Sequence, residues 1–465
     1  MSQIIRTVME ILNYISIIIS ILGIPFTLYK LIKLERAKKL EAIRDLFRAA
    51  VKSQVNEANE FYYSQYFKYY DDLKDFTIID AEYYKDILFR HSSFKQLITP
   101  SLYHFPLFTY HKWLYSKNPN LTVSIGLNIN KESNSINEPD SFLTKLNISD
   151  YFEYLLSQNL NLWNEMTYDL NSIHRENDQL QLGFTLGNYR NYVNHGELLR
   201  TKGKFQFNYR NKKITRQFHT ILNDQRNKID MRKVLCPENS CMPYASCVGV
   251  NVMTIMKTGE GYQTMIQKRG SNVVEAPNMF HVSPAGTFQP LSDFDATFIE
   301  EQFSFEYIIL REFIEEIFSM DAAQKNTVPN PFDIFHEKLK GTDFAPGPVL
   351  LDDHDISLLK QRKFTQNKRL EIKITAFSID MLTLKPEVSA VIYIKEEAVY
   401  ENIKNYIRSN WEGNIKLYYL ESKEFQAFLQ QYLNVNYFLP VGGLTLLEGL
   451  NYFYREIKGE QEWEM

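Results

Sequence analysis

From about residue 247 the chain alternates between segments with strand periodicity and segments with helix periodicity, and this pattern constrains the fold more than any other feature. The segments CVGVNVMTIMK and YQTMIQKRG alternate apolar and polar residues on either side of a TGEG turn, which predicts a β-hairpin. Further strands are predicted from RLEIKITAFSID, VSAVIYIK and NIKLYYL, and helices from about 396–409, 422–434 and 443–456. Strands that alternate with helices are typical of an α/β domain.

Between the hairpin and the later strands, the segment REFIEEIF (311–318) places several glutamates on an otherwise apolar helix. Glu312, Glu315 and Glu316 share one face because they are spaced three and four residues apart, while the apolar residues form the opposite face. Carboxylates that converge on one face can share a hard cation such as Mg²⁺ or Mn²⁺. The alternative is a solvated acidic face that binds nothing.

Five residues of this helix match, in order, the second half of the Nudix box, R-E-aliphatic-x-E-E: Arg311, Glu312, Phe313, Glu315 and Glu316. The hairpin that ends in QKRG and the SPAG turn before the helix also resemble that family, over about residues 247–455. The resemblance implies an α/β/α sandwich. Two positions depart from the family pattern: Phe318 stands where the box ends in glycine, and Phe303 stands where a glutamate is expected.

The resemblance also implies roles for individual side chains. Glu312, Glu315 and Glu316 are the expected ligands of the divalent metal, which Arg311 helps to orient. If the protein is a hydrolase, Glu315 and Glu316 are the catalytic residues, one of them as general base for water. The groups expected to bind nucleotide or phosphate are Lys268, Arg269, Gly286 and Arg311.

The N-terminal part contains an uncharged run, ILNYISIIISILGIPFTLY, over residues 11–29. A helix of this length is about long enough to cross the hydrocarbon core of a bilayer, so we predict a single transmembrane helix; a signal peptide and a buried soluble helix are the alternatives. Lysine and arginine follow the run in excess, which predicts an outside N-terminus and a cytoplasmic remainder. The predicted domains are a membrane anchor (1–32), a mostly helical spacer (33–230) and a Nudix-like domain (231–465).

This layout of membrane segment, spacer and divergent Nudix domain resembles the membrane–Nudix effectors of bacterial CBASS anti-phage systems. The resemblance implies a sensor in the bacterial inner membrane that binds a cyclic oligonucleotide made by a CD-NTase. Such a sensor would act as a homo-oligomer that disrupts the lipid bilayer and kills the infected cell by abortive infection. Ligand binding would shift the population of an assembly state.

Two other functions are consistent with the sequence. A membrane-tethered, Mg²⁺-dependent Nudix hydrolase of a nucleoside diphosphate derivative is the main alternative to the sensor. A structural membrane adaptor is the third hypothesis, and it leaves the three glutamates unexplained. The net charge of -4 gives the chain no general attraction to nucleic acid, so neither DNA nor RNA is an expected partner.

Overall fold

The computed structural model describes residues 32–51, 76–78, 105, 107–132, 141–160, 162–176, 179–209, 246–271, 273, 275–291, 296–317, 340, 350–380, 383–407, 412–434 and 436–459 of the 465-residue chain. The strands are β1 (Phe76–Ile78), β2 (Leu107–Tyr110), β3 (Val123–Glu132), β4 (Met166–Glu176), β5 (Gln179–Asn188), β6 (Gly249–Thr258), β7 (Gly261–Arg269), β8 (Phe280–Val282), β9 (Ala285–Thr287), β10 (Leu370–Asp380), β11 (Pro386–Ile394) and β12 (Gly413–Tyr419).

The helices alternate with groups of these strands along the chain. They are α1 (32–51), α2 (Ser141–Lys145), α3 (Tyr151–Ser157), α4 (Tyr189–Tyr192), α5 (Leu198–Tyr209), α6 (Ala296–Glu301), α7 (Phe305–Ile317), α8 (Asp353–Lys360), α9 (Glu397–Ile403), α10 (Lys423–Tyr432) and α11 (Pro440–Tyr452). Short π-helical turns follow α4 (Val193–Glu197) and α11 (Phe453–Ile457), and a 3-10 turn covers His111–Trp113.

Most of the described strands form one mixed sheet. Its order is β1-β2-β10-β11-β6-β7-β12, with β8 paired to β7 and β9 paired to β6. β11 and β6 run parallel, whereas β7 lies antiparallel to both β6 and β12. A second, three-stranded sheet has the order β3-β5-β4. The predicted hairpin is therefore confirmed as β6 and β7, which are interior strands of the larger sheet.

The side chains of β6 divide between two hydrophobic clusters. Val250 and Val252 share a buried cluster with Phe313 of α7. Met253 belongs to a second cluster, which contains Leu444 of α11. Because successive side chains of a strand point to opposite faces, α7 and α11 cover opposite faces of this sheet.

The first half of the chain contributes directly to this sheet. β2 pairs with β10, with Phe108 opposite Ile379 and Leu107 opposite Asp380. Thr109 Oγ1 donates a hydrogen bond of 2.7 Å to Phe377 O of β10. In the smaller sheet, Leu170 N of β4 donates to Ser246 O at 2.9 Å. The two halves therefore share backbone hydrogen bonds as well as a hydrophobic core.

A buried ionic network also joins the two halves. The Arg200 guanidinium of α5 lies 2.8 Å from Glu197, 3.4 Å from Glu275 and 3.5 Å from Asp380. Lys385 continues the network, 3.2 Å from Glu275 and 3.6 Å from a further carboxylate, Glu387. The most exposed side chain of the network, Glu275, has a relative exposure of 16 %. Removal of one member would leave buried charges without compensation.

The expected fold class included an N-terminal transmembrane helix, and the structure corrects this to a mixed α/β fold. Within the described ranges, every helix is too short or too polar to cross a bilayer. The predicted span, residues 11–29, lies outside the described residues. The first described helix, α1, instead buries Ile43, Phe47 and Ala50 in a cluster with residues of α3. The predicted location in the inner membrane stays a prediction.

The local sequence pattern and the structure differ at three places in the predicted spacer (33–230). Residues 107–110 form a strand in a part that was predicted to be mostly helical. Strand β4 begins at Met166 in the same predicted spacer. The segment GKFQFNYR, 203–210, alternates apolar and polar residues as a strand would, but α5 runs through it to Tyr209. β2 pairs with the distant strand β10, and α5 contacts Glu275 and Asp380, so distant contacts outweigh the local pattern for these two elements. β4 instead pairs with the next strand, β5.

Candidate functional site

The polar face of α7 is buried. Arg311, Glu312 and Glu316 have relative exposures of 2 %, 8 % and 3 %. Glu315 lies at the margin, with 26 % of its side chain exposed. The opposite face of the helix packs into the core, for example through Phe313. Protein therefore encloses α7 on both faces, and the hypothesis of a solvated acidic face is wrong.

Arg311 compensates two of these carboxylates and anchors the helix. Its Nη2 donates to Glu312 Oε1, and its Nε lies 3.7 Å from Glu315 Oε1. Its Nη1 donates to Gln289 O, just beyond β9, at 2.7 Å. The planar guanidinium thus connects both carboxylates with the backbone of the segment that precedes the helix.

The SPAG segment, residues 283–286, contacts the last turns of α7. Ser283 Oγ donates to Glu316 Oε2 at 3.1 Å, and Ala285 N donates to Glu316 Oε1 at 3.0 Å. The Glu312 carboxylate lies against Gly286, where an added Cβ would be 2.2 Å from the Glu312 Cδ atom. Glycine at residue 286 leaves room for the carboxylate, which approaches the backbone closely.

Glu412 is a fourth carboxylate of this cluster, and the sequence interpretation missed it. It directly precedes β12, whose first residue pairs with Arg269. Burial raises the pKa of Glu412 to about 6, with a further contribution from Glu312, while Arg269 opposes the shift. Burial also raises the pKa of Glu316 well above its usual value, and repulsion from Glu412 and Glu312 adds to the shift. A hydrogen bond joins the Glu316 and Glu412 carboxyl groups, so the pair retains a proton more readily than two isolated carboxylates.

The two basic residues expected to bind phosphate, Lys268 and Arg269, point to opposite faces of β7. Arg269 lies on the face of the sheet that carries the glutamate helix, close enough to lower the pKa of Glu412. Lys268 points to the other face, where its Nζ lies 5.8 Å from the centre of the Phe280 ring. The structure therefore brings Arg269, Gly286 and Arg311 together with the glutamates of α7 and places Lys268 elsewhere.

One departure from the Nudix pattern has a structural consequence. Phe303, at the position where the family has a glutamate, is fully buried. Its ring lies 5.0 Å from that of Tyr168 and 5.4 Å from those of Phe184 and Phe288. An aromatic core residue thus stands at the position where the resemblance would imply a glutamate. The other departure, Phe318, lies outside the described residues.

A search against models of known protein families gives no match, and a search of curated proteins gives none either. The Nudix and CBASS resemblances stay predictions.

The donor set suits a hard divalent cation, because it consists of carboxylate oxygens. A dication would relieve the repulsion among these groups. In the arrangement shown, Glu312 and Glu316 instead accept hydrogen bonds from protein donors. Among the described residues, no group of three or more potential ligand side chains is placed to hold a metal ion. A cation bound there would replace the protein donors from which Glu312 and Glu316 accept hydrogen bonds.

Proposed function

We propose that the C-terminal half is a divalent-cation-dependent domain that binds a phosphorylated nucleotide and senses it without hydrolysing it. The arrangement around Glu316 supports this proposal most directly. Both oxygens of its carboxyl group accept hydrogen bonds, from Ser283 and Ala285, and the group also bonds to Glu412. A carboxyl group whose two oxygens already accept hydrogen bonds from protein donors is poorly placed to take a proton from a water molecule.

The charge balance explains why a cation belongs to the proposal. The cluster contains four glutamates and two arginines, Arg269 and Arg311, so a phosphate would meet net negative charge. Mg²⁺ or Mn²⁺ would be held by Glu312, Glu315 and Glu316 and would supply the charge that attracts phosphate oxygens. A cyclic oligonucleotide is the ligand class that the CBASS resemblance implies. The CD-NTase partner and the homo-oligomer stay predictions, and the proposal does not depend on a membrane helix.

One observation favours the hydrolase as a second candidate. The pKa of Glu412 is raised to about 6, close to the pH at which a general base works best. In this alternative Glu412, rather than Glu316, would take the proton from the attacking water. The two candidates share a binding site and differ in whether the bound ligand is consumed.

Calorimetry with the full-length protein separates these functions. Cyclic dinucleotides should bind when Mg²⁺ is present, bind much more weakly when it is removed by chelation, and be recovered intact afterwards. Turnover of ADP-ribose or of a dinucleotide polyphosphate would establish the hydrolase instead, and Glu412→Gln should then abolish it. If no phosphorylated nucleotide binds with or without Mg²⁺, both candidates are wrong.

Gly286→Ala tests whether the carboxylate cluster is the site. The new methyl group would overlap the Glu312 carboxylate, which lies at the end of a flexible side chain and has to turn away from the backbone. We expect Mg²⁺-dependent binding to weaken by about tenfold or more while the protein keeps a cooperative melting transition. Gly126→Ala is a matched control, because a Cβ at that position of β3 meets nothing within 4 Å. Equal affinities for the two variants would exclude the cluster as the site.

A further inference from the structure

Gln267 of β7 is a buried amide without a hydrogen-bond partner among the described residues. Its relative exposure is 0 %, and both Oε1 and Nε2 lack a partner. An uncompensated buried polar group costs on the order of 1–3 kcal/mol. Such a group on an interior strand calls for a physical explanation.

The side chain of Gln267 lies on the same face of the sheet as the carboxylate cluster. Met265, two residues before it, is buried in the hydrophobic cluster that contains α7. Arg269, two residues after it, interacts with Glu412. Because side chains alternate along a strand, Gln267 shares the face of both neighbours. A Cβ at Gly413, across the strand pair, would lie 3.0 Å from Gln267 Cγ.

An apolar surface adjoins this amide. Ile415, the cross-strand neighbour of Gln267, and Leu417 are only partly buried and pack against the same hydrophobic cluster. Flat aromatic groups bind well on such a surface. The amide itself offers one donor side and one acceptor side, which is the complement of a nucleobase edge. The phosphate-directed cluster, the apolar surface and the free amide therefore lie along one face.

We propose that Gln267 is a specificity-determining residue that recognises the hydrogen-bonding edge of the nucleobase in the bound ligand. The inference rests on the proposed nucleotide-binding function and names the side chain that recognises the base. Without ligand, the amide costs stability; with ligand, its donor and acceptor are satisfied. The Gln267 amide thus lowers the stability of the ligand-free protein and makes ligand binding selective for the base.

The test uses the full-length protein with Mg²⁺ and five probes: ADP, GDP, CDP, UDP and inorganic pyrophosphate. The wild type should bind at least one nucleoside diphosphate about tenfold or more tightly than pyrophosphate. Gln267→Met, which replaces the amide by an apolar side chain of similar length, should remove that preference and leave pyrophosphate affinity unchanged. Its melting temperature should rise, because the uncompensated amide is gone.

Thr264→Val is the matched control, because Thr264 also carries a buried, unpartnered hydroxyl on β7 but faces the other side of the sheet. It should keep the wild-type preference among the diphosphates. If Gln267→Met also keeps that preference, or if the wild type does not distinguish the diphosphates from pyrophosphate, the inference is overturned while nucleotide binding stands. If the wild type binds none of the five probes, the inference is overturned, and the calorimetry with cyclic dinucleotides decides the proposed function separately.

Discussion

At the scale of single residues, Glu448 shows how a buried carboxyl group can make stability depend on pH. It lies in α11 with no exposed surface and accepts hydrogen bonds from Ser116 N at 2.9 Å and Ser116 Oγ at 2.8 Å. Burial raises its pKa from an ordinary value of 4.5 to about 7. A raised pKa means that the folded state holds the proton more tightly than the unfolded state. This contribution to stability is complete below pH 4.5 and is lost as the pH rises through 7.

Glu448→Gln should therefore reduce the pH dependence of folding. Glutamine keeps a hydrogen-bonding partner for Ser116 but has no proton to lose, so the variant should gain up to about 3 kcal/mol over the wild type between pH 5 and pH 8. Denaturant unfolding at several pH values measures this difference. Glu424→Gln is the control, because the Glu424 side chain is 66 % exposed and should show almost no change. A constant difference between Glu448→Gln and wild type across the pH range would contradict the assignment.

At the scale of elements, the Arg311 side chain anchors α7. Its guanidinium holds Glu312, Glu315 and the backbone oxygen of Gln289 together. Arg311→Met would leave the Glu312 carboxylate buried and uncompensated, and we expect a loss of about 3–5 kcal/mol in the free energy of unfolding. Arg311→Lys should lose less, because it keeps the charge but not the planar fork.

Denaturant titration compares these variants with Lys39→Met, which removes an exposed ion pair with Glu35. Exposed pairs contribute roughly 0–1 kcal/mol, so this control should resemble the wild type. If Arg311→Met were as stable as the control, the guanidinium would not be the anchor of α7.

The elements that the sequence predicts correctly are those determined by local periodicity. The hairpin of β6 and β7 and the helix α7 follow from alternation and helical spacing within single segments. β2 and α5 were missed because tertiary pairing determines them. Residues 107–110 become a strand by pairing with β10, and α5 is positioned by Arg200 and its buried ionic partners.

In the candidate site, too, some residues follow from local spacing and others do not. Glu312, Glu315, Glu316 and Arg311 were predicted because they lie within one helical turn or two, where spacing alone places them together. Glu412 comes from a different element far along the chain, and no local signal connects it with α7. The unpartnered amide of Gln267 was also missed, because glutamine in a strand has no pattern that distinguishes it from a satisfied core residue.

At the scale of the whole molecule, the first half of the chain supplies parts that the C-terminal half lacks. β2 covers an edge of β10 that would otherwise expose unpaired backbone groups. Arg200 compensates Glu275 and Asp380, which both belong to the C-terminal half. The aromatic cluster around Phe303 includes Tyr168 and Phe184 from the smaller sheet. The sheet, the charges and the core are thus all shared between the halves.

A chain shortened to residues 231–465, the predicted Nudix-like domain, should therefore fail to fold cooperatively on its own. It would have an unpaired edge at β10, a buried carboxylate pair without Arg200, and an exposed aromatic surface at Phe303. Calorimetric unfolding of the shortened and full-length chains measures this, and the full-length chain should show the sharper and higher transition. Addition of a separately produced chain of residues 33–230 should restore a cooperative transition, because it returns β2 and Arg200. A shortened chain that melts as sharply and at the same temperature as the full-length protein would show that the shared contacts are dispensable.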